Sequence, residues 1–275
     1  MSVARVLVDG AQADTVSVAD RGLSYGDGLF ETIRFVHGHA PLWLRHMERL
    51  HEGCRRLGIP SVDAESCLRE ALAVSVGVEH AVVRITLTRG AGARGYAPPA
   101  LPTPTRIVAA FDAPAMHGEI YQQGVRVRWC RTRLGLQPVL AGMKHLNRLE
   151  QVMARSEWSD ASIHEGLLLD LEGRVVCATM ANLFVVIDGA LVTPSVDRCG
   201  VAGVARAEVL SVRPDAQVTT LSPDQLQRAS EVFLCSSVRG ILPVQAVGDT
   251  VYGPGPVTRA MQHHWRGLGY PMEQA

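Results

Sequence analysis

Lys144 is the only lysine in this 275-residue chain, although 27 of its residues are lysine or arginine. A guanidinium group stays protonated and cannot attack a carbonyl, whereas a partly desolvated ammonium group can lose its proton and act as a nucleophile. The single lysine therefore indicates a required amine nucleophile. Chance survival of one lysine in an arginine-biased sequence is the alternative, so other motifs have to support the interpretation.

A glycine-rich segment, Gly90 to Gly95, fits the pattern G-x-G-x-x-G and follows an apolar run over 81–89 that predicts a strand. A dinucleotide-binding fingerprint must also open a helix. Four prolines follow within ten residues of the segment and prevent a helix of useful length; they are Pro98, Pro99, Pro102 and Pro104. The segment is therefore predicted to be a loop.

The same loop carries side chains that could bind a carboxylate. Arg89 and Arg94 supply guanidinium groups and Tyr96 supplies a phenol. Arginine binds a carboxylate through two parallel hydrogen bonds. These three residues are candidate substrate ligands, and a solvated loop with incidental arginines is the alternative.

Small residues over 200–206 lead into a predicted helix whose first N–H groups would be free to bind an anion such as phosphate. Ser236 and Ser237, at the end of a predicted strand, could add hydroxyl donors. Close packing and an ordinary strand end are the alternatives. With Lys144 and the arginine-bearing loop, this pattern favours a phosphorylated aldehyde cofactor, pyridoxal phosphate, and a carboxylated amine substrate.

Composition argues against several other classes of protein. The 27 basic and 27 acidic residues cancel and are spread without runs, which predicts no binding to nucleic acid or to an anionic membrane. No signal-peptide core is present and no segment approaches the ~18 apolar residues of a membrane span, so a cytoplasmic location is expected. The six cysteines lack a C-x-x-C pair, and His263-His264 lacks helical ligand spacing, so no disulfide framework and no metal site are expected.

At 275 residues and 47% hydrophobic, the chain is long enough for two modest α/β domains, each with its own core. The first is predicted to open with hairpins around Asp9-Gly10 and His37-Gly38, followed by helices from Leu42 and over 64–76. Residues 111–119 are the predicted linker, which leaves domains over 1–110 and 120–275.

In the second domain, residues 144–158 predict a helix that starts at Lys144, with four apolar residues on one side: Leu146, Leu149, Val152 and Met153. Residues 165–194 predict three or four strands of an antiparallel meander, because Glu172-Gly173 and Asp188-Gly189 separate apolar runs. Runs of strands with interspersed helices favour an α+β fold over a doubly wound parallel sheet.

Motifs along most of the chain resemble the fold-type IV, or class IV aminotransferase, family of pyridoxal-phosphate enzymes, whose fold is that of the D-amino-acid aminotransferases. The segments KHLNRLEQ and TRGAGARGY resemble the aminodeoxychorismate lyase branch more than the aminotransferases. The matching segments are ADRG (19–22), YGDGLFETIR (25–34), HMERL (46–50), TRGAGARGY (88–96), LAGMKHLNRLEQV (140–152), MANLFVV (180–186), GVAGVAR (200–206) and LCSSVRGILPV (234–244).

The resemblance implies a role for particular residues. Lys144 would attach the cofactor covalently, and Arg49 would bind its phosphate together with the backbone of Val204 and Ala205 and the Ser237 hydroxyl. Asn147, after Lys144, is a further candidate for the substrate site. The resemblance also implies a hairpin-rich N-terminal α/β domain, a larger C-terminal cofactor-binding α/β domain, an active site between them, and a homodimer.

Cys177 departs from the family pattern. A family glutamate that pairs with the protonated pyridine nitrogen stands five residues before the asparagine of the N-L-F motif, and Cys177 stands five residues before Asn182. A neutral thiol is a much weaker partner for that proton than a carboxylate. Transamination should suffer most, whereas an elimination that creates an aromatic ring has its own driving force.

The resemblance therefore implies a lyase that converts 4-amino-4-deoxychorismate to 4-aminobenzoate and pyruvate in folate biosynthesis, with Lys144 removing the C4 proton from an external aldimine. Transient contact with aminodeoxychorismate synthase is a further expectation. A D-amino-acid or branched-chain aminotransferase of the same fold is the alternative, and Cys177 leaves room for a pseudoenzyme that binds the cofactor without turnover.

Overall fold

The computed structural model describes residues 5–116 and 118–272. The chain forms two compact units. The first runs to Pro114 and also contains Met143–Asn147, and the second comprises Ala115–Gly142 and the chain from Arg148 onward. The short Met143–Asn147 segment, which includes Lys144, thus belongs to the first unit although the chain on both sides of it belongs to the second.

The first unit contains an antiparallel sheet in the order β2-β1-β5-β4-β3. Its strands are β1 (Arg5–Val8), β2 (Ala11–Gln12), β3 (Gly28–Val36), β4 (His80–Thr88) and β5 (Thr105–Asp112). Its helices are α1 (Arg21–Tyr25), α2 (Trp43–Leu57) and α3 (Ala64–Ser75).

Helices α2 and α3 pack on the sheet with their apolar sides. In α2 the buried positions Met47, Leu50 and Cys54 recur at helical spacing. Helix α3 begins where the Asp63 side chain accepts a hydrogen bond from the Ser66 backbone, which satisfies an N–H group that has no partner within the helix.

The second unit contains a mixed nine-stranded sheet, with β14 paired to β13 beside the path β11-β10-β9-β12-β13-β6-β7-β8. Its strands are β6 (Val125–Leu134), β7 (Glu165–Asp170), β8 (Val175–Ala178), β9 (Asn182–Ile187), β10 (Ala190–Pro194), β11 (Gln217–Thr219), β12 (Glu231–Ser236), β13 (Gly240–Val247) and β14 (Thr250–Val251). Its helices are α4 (Gly118–Gln122), α5 (Leu149–Arg155), α6 (Val204–Val212), α7 (Pro223–Gln227) and α8 (Pro256–Gly267).

Most of the predicted elements are confirmed. The Asp9-Gly10 turn joins β1 to β2, α2 and α3 lie where helices were predicted, and β4 covers nearly all of 81–89. After the His37-Gly38 turn, however, only an isolated bridge between Val36 and His39 forms. The second strand predicted for that hairpin was therefore wrong.

The helix predicted over 144–158 was also wrong over its first five and last three residues, because α5 covers only Leu149–Arg155. The Lys144 segment is instead extended along the start of β3. Phe30 N donates to Lys144 O at 3.0 Å and Leu146 N donates to Gly28 O at 3.0 Å. These bonds use the backbone groups that an α-helix would need.

Strands β7 to β10 confirm four strands in the predicted meander region, but they are not one meander. The hairpin β7–β8 lies at one end of the sheet, whereas β9 lies between β10 and β12. Parallel pairs join β13 to β6 and β6 to β7. Hairpin turns predict that strands adjacent in sequence pair with each other. They do not show which strand from a distant part of the chain lies next to that pair in the sheet.

Candidate active site

Lys144 lies against an aromatic ring of the first unit. Its Nζ is 4.3 Å from the centre of the Phe30 ring, and its backbone oxygen accepts a hydrogen bond from Phe30 N. The side chain is partly buried. A ring face attracts an ammonium group while limiting its contact with water, so strand β3 fixes the position of the single amine.

Two buried side chains, Glu31 and His46, form a hydrogen-bonded cluster with the part-buried Arg49, and the charge of Lys144 acts on His46. Glu31 follows Phe30 on β3, and His46 and Arg49 project from α2, one turn apart. Arg49 Nε donates to Glu31 Oε1 at 2.8 Å and Nη2 donates to Oε2 at 2.5 Å, while His46 Nδ1 lies 2.6 Å from Oε2. The forked guanidinium is thus held by both oxygens of one carboxylate.

The charge state of this cluster follows from its burial. Burial acts to raise the pKa of Glu31, but the Arg49 charge and the hydrogen bonds from His46 and Arg49 outweigh it and lower that pKa to about 2. Burial lowers the pKa of His46 against the hydrogen bond to Glu31, and the charges of Arg49 and Lys144 lower it further. Glu31 is therefore ionised and His46 is neutral at neutral pH.

A neutral His46 whose Nδ1 carries the proton donates to Glu31 and leaves Nε2 as an acceptor. Nε2 is buried and has no hydrogen-bond partner among the residues that the structure describes. An orphaned polar atom in this position, near an amine and an arginine, is typical of a site that a bound group completes.

The candidate substrate residues of the arginine-bearing loop differ from one another in their surroundings. Arg89 is buried, and its three nitrogens donate to Asp27 Oδ2 at 2.7 Å, Gly58 O at 3.0 Å and Leu57 O at 2.8 Å. Arg94 is exposed, and Tyr96 is 86% exposed. Arg94 and Tyr96 are therefore accessible to a ligand, whereas Arg89 is used within the protein.

Asn147, the fourth candidate, is in the segment that carries Lys144. Its Nδ2 donates to Gly26 O at 3.1 Å. Gly26 has a left-handed backbone (φ 65°) at the end of α1, and a Cβ built there would lie 2.4 Å from Asn147 Oδ1. Asn147 therefore packs closely on this turn, which ties the lysine segment to α1.

In the second unit, the start of α6 has the features of an anion site. Val204 and Ala205 occupy its first turn, and the N-cap residue Gly203 provides no side-chain cap. Asn182 lies beneath this turn: its Nδ2 donates to Val201 O at 2.9 Å and its Oδ1 accepts from Gly203 N at 3.0 Å. Both ends of the buried amide thus fix the loop that leads into the helix.

Ser237, the remaining phosphate candidate, lies in the turn between β12 and β13. Its carbonyl oxygen accepts a hydrogen bond from the Tyr270 hydroxyl at 2.8 Å. This contact anchors the backbone of the turn that carries Ser237.

Cys177 lies on β8 in an apolar cluster of the second unit, where its neighbours include Cys130, Leu168 and Cys199. Burial, assisted by Cys199 and Glu165, raises the pKa of the Cys177 thiol to about 12. The thiol is therefore neutral at physiological pH and supplies no negative charge.

Sequence reasoning did not assign roles to Glu31, His46 or Asn182, although all three stand inside quoted motifs. A glutamate or histidine followed by apolar neighbours gives no sign of which side chain it will contact. Glu165 was missed for the same reason: it is buried at the start of β7 and accepts hydrogen bonds from the Thr179 hydroxyl and from Met180 N.

The described residues offer neither a metal-binding group nor a membrane-spanning helix. No group of three or more His, Cys, Asp or Glu side chains is arranged to hold a metal ion in the part of the chain that the structure describes. Within the same residues, no helix is both long and apolar enough to cross a membrane.

The family model described as amino-transferase class IV matches residues 28–247, and the chain belongs to that family. The expected fold-type IV architecture is confirmed by solved structures. A branched-chain amino acid aminotransferase from Escherichia coli has a TM-score of 0.84 at 25% identity, covering 99% of this chain and 96% of that one.

Within this family the chain is more similar to lyases. It superposes on 4-amino-4-deoxychorismate lyase from Pseudomonas aeruginosa with a TM-score of 0.91 and 49% identity, covering 95% of this chain and 98% of that one. It is 37% identical over 263 residues to an aminodeoxychorismate lyase from Vibrio harveyi, covering 93% and 97% of the two chains. The sequence-based resemblance to this branch is confirmed.

Proposed function

We propose that this chain is a pyridoxal-phosphate-dependent carbon–oxygen lyase that converts 4-amino-4-deoxychorismate to 4-aminobenzoate and pyruvate. The observation that carries the proposal is the single lysine, held with Nζ 4.3 Å from the Phe30 ring centre near the cluster of buried Glu31 and His46 with part-buried Arg49. Similarity over almost the whole chain to two lyases of this specificity supports the choice of substrate.

The residues present fit pyridoxal phosphate at the aldehyde and phosphate ends. Lys144 is the amine that would attach it, and the orphaned His46 Nε2 is a buried polar atom that a bound group would complete. Arg49, the backbone N–H groups of Val204 and Ala205, and the Ser237 hydroxyl would hold the phosphate. When bound, the cofactor supplies an electron-withdrawing pyridine ring conjugated to the substrate amine.

Lys144 is the protein group proposed to move the proton. The Lys144 amine would act as the general base that removes the proton from C4 of the substrate. The electron pair left at C4 forms the third double bond of the ring as the C3–oxygen bond breaks. The departing enolpyruvate takes up a proton to become pyruvate, and the aromatic ring remains as 4-aminobenzoate.

The neutral Cys177 thiol supports elimination over amino transfer. With a pKa of about 12, the thiol cannot act as the carboxylate partner of a protonated pyridine nitrogen. Amino transfer depends on storing a full carbanion in that ring, whereas formation of a benzene ring supplies driving force of its own. A lyase is therefore the reaction that tolerates this substitution.

The substrate carboxylates would be bound by Arg94 and Tyr96, which are accessible. Arg89 and Asn147 would contribute indirectly, because their donors already hold Asp27, the 57–58 carbonyls and Gly26. The guanidinium of arginine can donate two hydrogen bonds in one plane to a carboxylate, and the Tyr96 phenol can donate a third.

We also propose a cytoplasmic homodimer that contacts aminodeoxychorismate synthase transiently. Leu149, Val152 and Met153 of α5 are all exposed in the single chain, and adjacent exposed apolar side chains mark interaction surfaces. The six cysteines are free and buried, which fits a reducing compartment.

A coupled assay tests the proposed reaction. Purified protein is incubated with aminodeoxychorismate generated in place by its synthase, while pyruvate, 4-aminobenzoate and the absorbance of the bound cofactor are followed. Equal amounts of both products with a cofactor absorbance band support the lyase. A band without products points to an aminotransferase or a pseudoenzyme, and no band overturns the assignment of Lys144.

A further inference from the structure

Arg21 is buried at the start of α1, and its guanidinium organises the loop formed by residues 90–97. Its side chain is 5% exposed. Nη1 donates to Gly95 O at 2.9 Å and to Ala97 O at 3.3 Å, and Nη2 donates to Tyr96 O at 3.0 Å. Three consecutive carbonyl groups of a segment without helix or strand therefore converge on one cation.

Other contacts wrap the same loop around α1. Arg21 N donates to Gly90 O at 2.9 Å, Gly92 N donates to Ala19 O at 3.2 Å, and Gly95 N donates to the Tyr25 hydroxyl at 3.1 Å. A Cβ added at Gly92 would lie 2.9 Å from Arg21 Cδ. The loop thus contacts Arg21 at both ends, at residue 90 through the Arg21 backbone N–H and at residues 95–97 through the guanidinium.

Arg21 and Arg89 share a single carboxylate, so the Arg21 guanidinium also needs the loop carbonyls as hydrogen-bond acceptors. Asp27 Oδ2 accepts from Arg21 Nε at 2.9 Å and from Arg89 Nε at 2.7 Å, so one carboxylate is shared by two buried guanidinium groups. Burial acts to raise the pKa of Asp27, but the hydrogen bonds from Arg89 and Arg21 outweigh it and lower that pKa. One carboxylate cannot satisfy two guanidinium groups, so each arginine also donates to backbone carbonyls. For Arg21 these are the carbonyls of residues 95–97.

Helix α1 also contacts the segment that carries the nucleophile. Asn147 Nδ2 donates to Gly26 O at 3.1 Å at the end of the helix, and Leu146 N donates to Gly28 O at 3.0 Å. The five-residue α1 turn is therefore bonded to the 90–97 loop through Arg21 and Tyr25, and to the lysine segment through the residues that follow it.

We propose that Arg21 is a positioning residue for substrate binding: it fixes the conformation of the 90–97 loop, which presents Arg94 and Tyr96 to a carboxylate of the substrate. The identity of that ligand rests on the proposed function. Arg21 itself has no role in attaching the cofactor or in moving the proton. A lysine cannot replace it, because one ammonium group cannot span Asp27 and three carbonyls in the plane that the guanidinium fork reaches.

The test compares Arg21→Gln and Arg21→Lys with Arg106→Gln. Arg106 is a matched control, because it forms a part-buried ion pair with Glu70 in the same unit, with Nε to Oε2 at 2.7 Å, and it does not touch the loop through its side chain. Amide hydrogen exchange is measured on peptides that cover 88–101 in protein without substrate, and KM, kcat and the cofactor absorbance are measured with substrate.

Both Arg21 variants should exchange the loop amides at least about tenfold faster and raise KM by about tenfold, the effect of losing one or two charge-assisted hydrogen bonds. Their kcat and cofactor absorbance should stay close to those of the unaltered protein. Arg106→Gln should lower thermal stability without changing loop exchange or KM, so a general loss of stability cannot produce the expected result.

Unchanged loop exchange in both folded Arg21 variants would overturn the proposal, as would a fall in kcat with KM unaltered. If Arg21→Gln does not fold, Arg21→Lys, which keeps the charge, carries the same comparison. Failure of the proposed function is recognised separately as absence of turnover in the unaltered protein, while the exchange data still decide whether Arg21 holds the loop.

Discussion

Glu31 holds Arg49 through both carboxylate oxygens, with Arg49 Nε 2.8 Å from Oε1 and Nη2 2.5 Å from Oε2. The same carboxylate lies 2.6 Å from His46 Nδ1. A residue proposed to bind phosphate is thus fixed in place by a side chain from another element before any ligand arrives. This preorganisation lowers the entropy that ligand binding has to overcome.

Stability should fall in acid because of Glu31. Its pKa is about 2 in the folded protein against an ordinary value of 4.5, so the folded state favours the ionised form. The stabilisation is present above about pH 4.5 and is lost as the pH falls towards 2; it amounts to about 3 kcal/mol. The free energy of unfolding in urea, measured from pH 7 to pH 3, checks this expectation.

Glu31→Gln should remove that acid dependence and cost about 3–5 kcal/mol at pH 7, since Arg49 is left without its buried partner. The exposed Glu65→Gln on α3 is the control, and it should leave both the stability and its pH dependence nearly unchanged. If Glu31→Gln loses stability in acid as the unaltered protein does, a group other than Glu31 causes that loss.

Lys144→Arg should keep the fold and the charge but abolish both the cofactor absorbance and turnover, because a guanidinium does not attach the aldehyde. Circular dichroism and absorbance check the variant. In the unaltered protein, borohydride reduction followed by peptide mass analysis should add the cofactor to the peptide that contains Lys144, since the chain has no other lysine. Retained turnover in Lys144→Arg would refute the mechanism.

Cys177→Glu should increase the half-reaction of amino transfer with D- or L-alanine relative to the unaltered protein. A carboxylate at this position would hold a proton on the pyridine nitrogen and strengthen the electron sink. Cys199→Ala, in the same apolar cluster, is the control and should not change that half-reaction. If a folded Cys177→Glu variant behaves as the unaltered protein does, Cys177 does not contact the ring nitrogen.

Asn182→Ala should weaken the binding of pyridoxal phosphate by about tenfold, because the loop before α6 loses two hydrogen bonds from the buried amide. The affinity for pyridoxal, which lacks the phosphate, should change little. The control is Ser230→Ala. It removes a hydroxyl that donates at 3.2 Å to the carbonyl oxygen of Val186, which lies on β9 as Asn182 does. Equal weakening for both ligands would place the effect outside the phosphate site.

Val152→Asp should shift a homodimer towards monomer, since a charge would be buried in the proposed interface. Sedimentation velocity over a range of protein concentrations measures the shift. Leu72→Asp, at an exposed apolar position on α3, is the matched control and should leave the association state unchanged. A monomeric unaltered protein would contradict the proposed dimer directly.

The sequence was a reliable guide wherever structure depends on local patterns. Asp9-Gly10 and Asp188-Gly189 mark turns between strands, and in each pair the aspartate has a positive φ, of 50°, as tight hairpins require. Helices α2 and α3 follow from apolar spacing. Lys144 was a candidate nucleophile from composition, because an amine can lose its proton and a guanidinium cannot, and the motifs around it supported that interpretation.

Local patterns misled where a distant strand competed for the same backbone. Residues 144–148 carry helix-compatible side chains, yet residues 144 and 146 pair with β3, more than a hundred positions earlier. Leu149, Val152 and Met153 do share a face of α5, but that face is exposed in the chain. Periodicity identifies a face and does not say whether the protein's own core covers it.

By itself, therefore, the sequence determined the family, the candidate nucleophile and most of the local elements, because these depend on residue type and on spacing within a few turns of chain. Only the tertiary structure decided what the other polar residues do. Glu31 is hydrogen-bonded to Arg49 and His46. Arg21 donates to the carbonyls of residues 95–97, and Arg89 donates to Asp27. Such pairings arise because buried polar groups must find partners wherever the packed chain brings them, and no local pattern records where that will be.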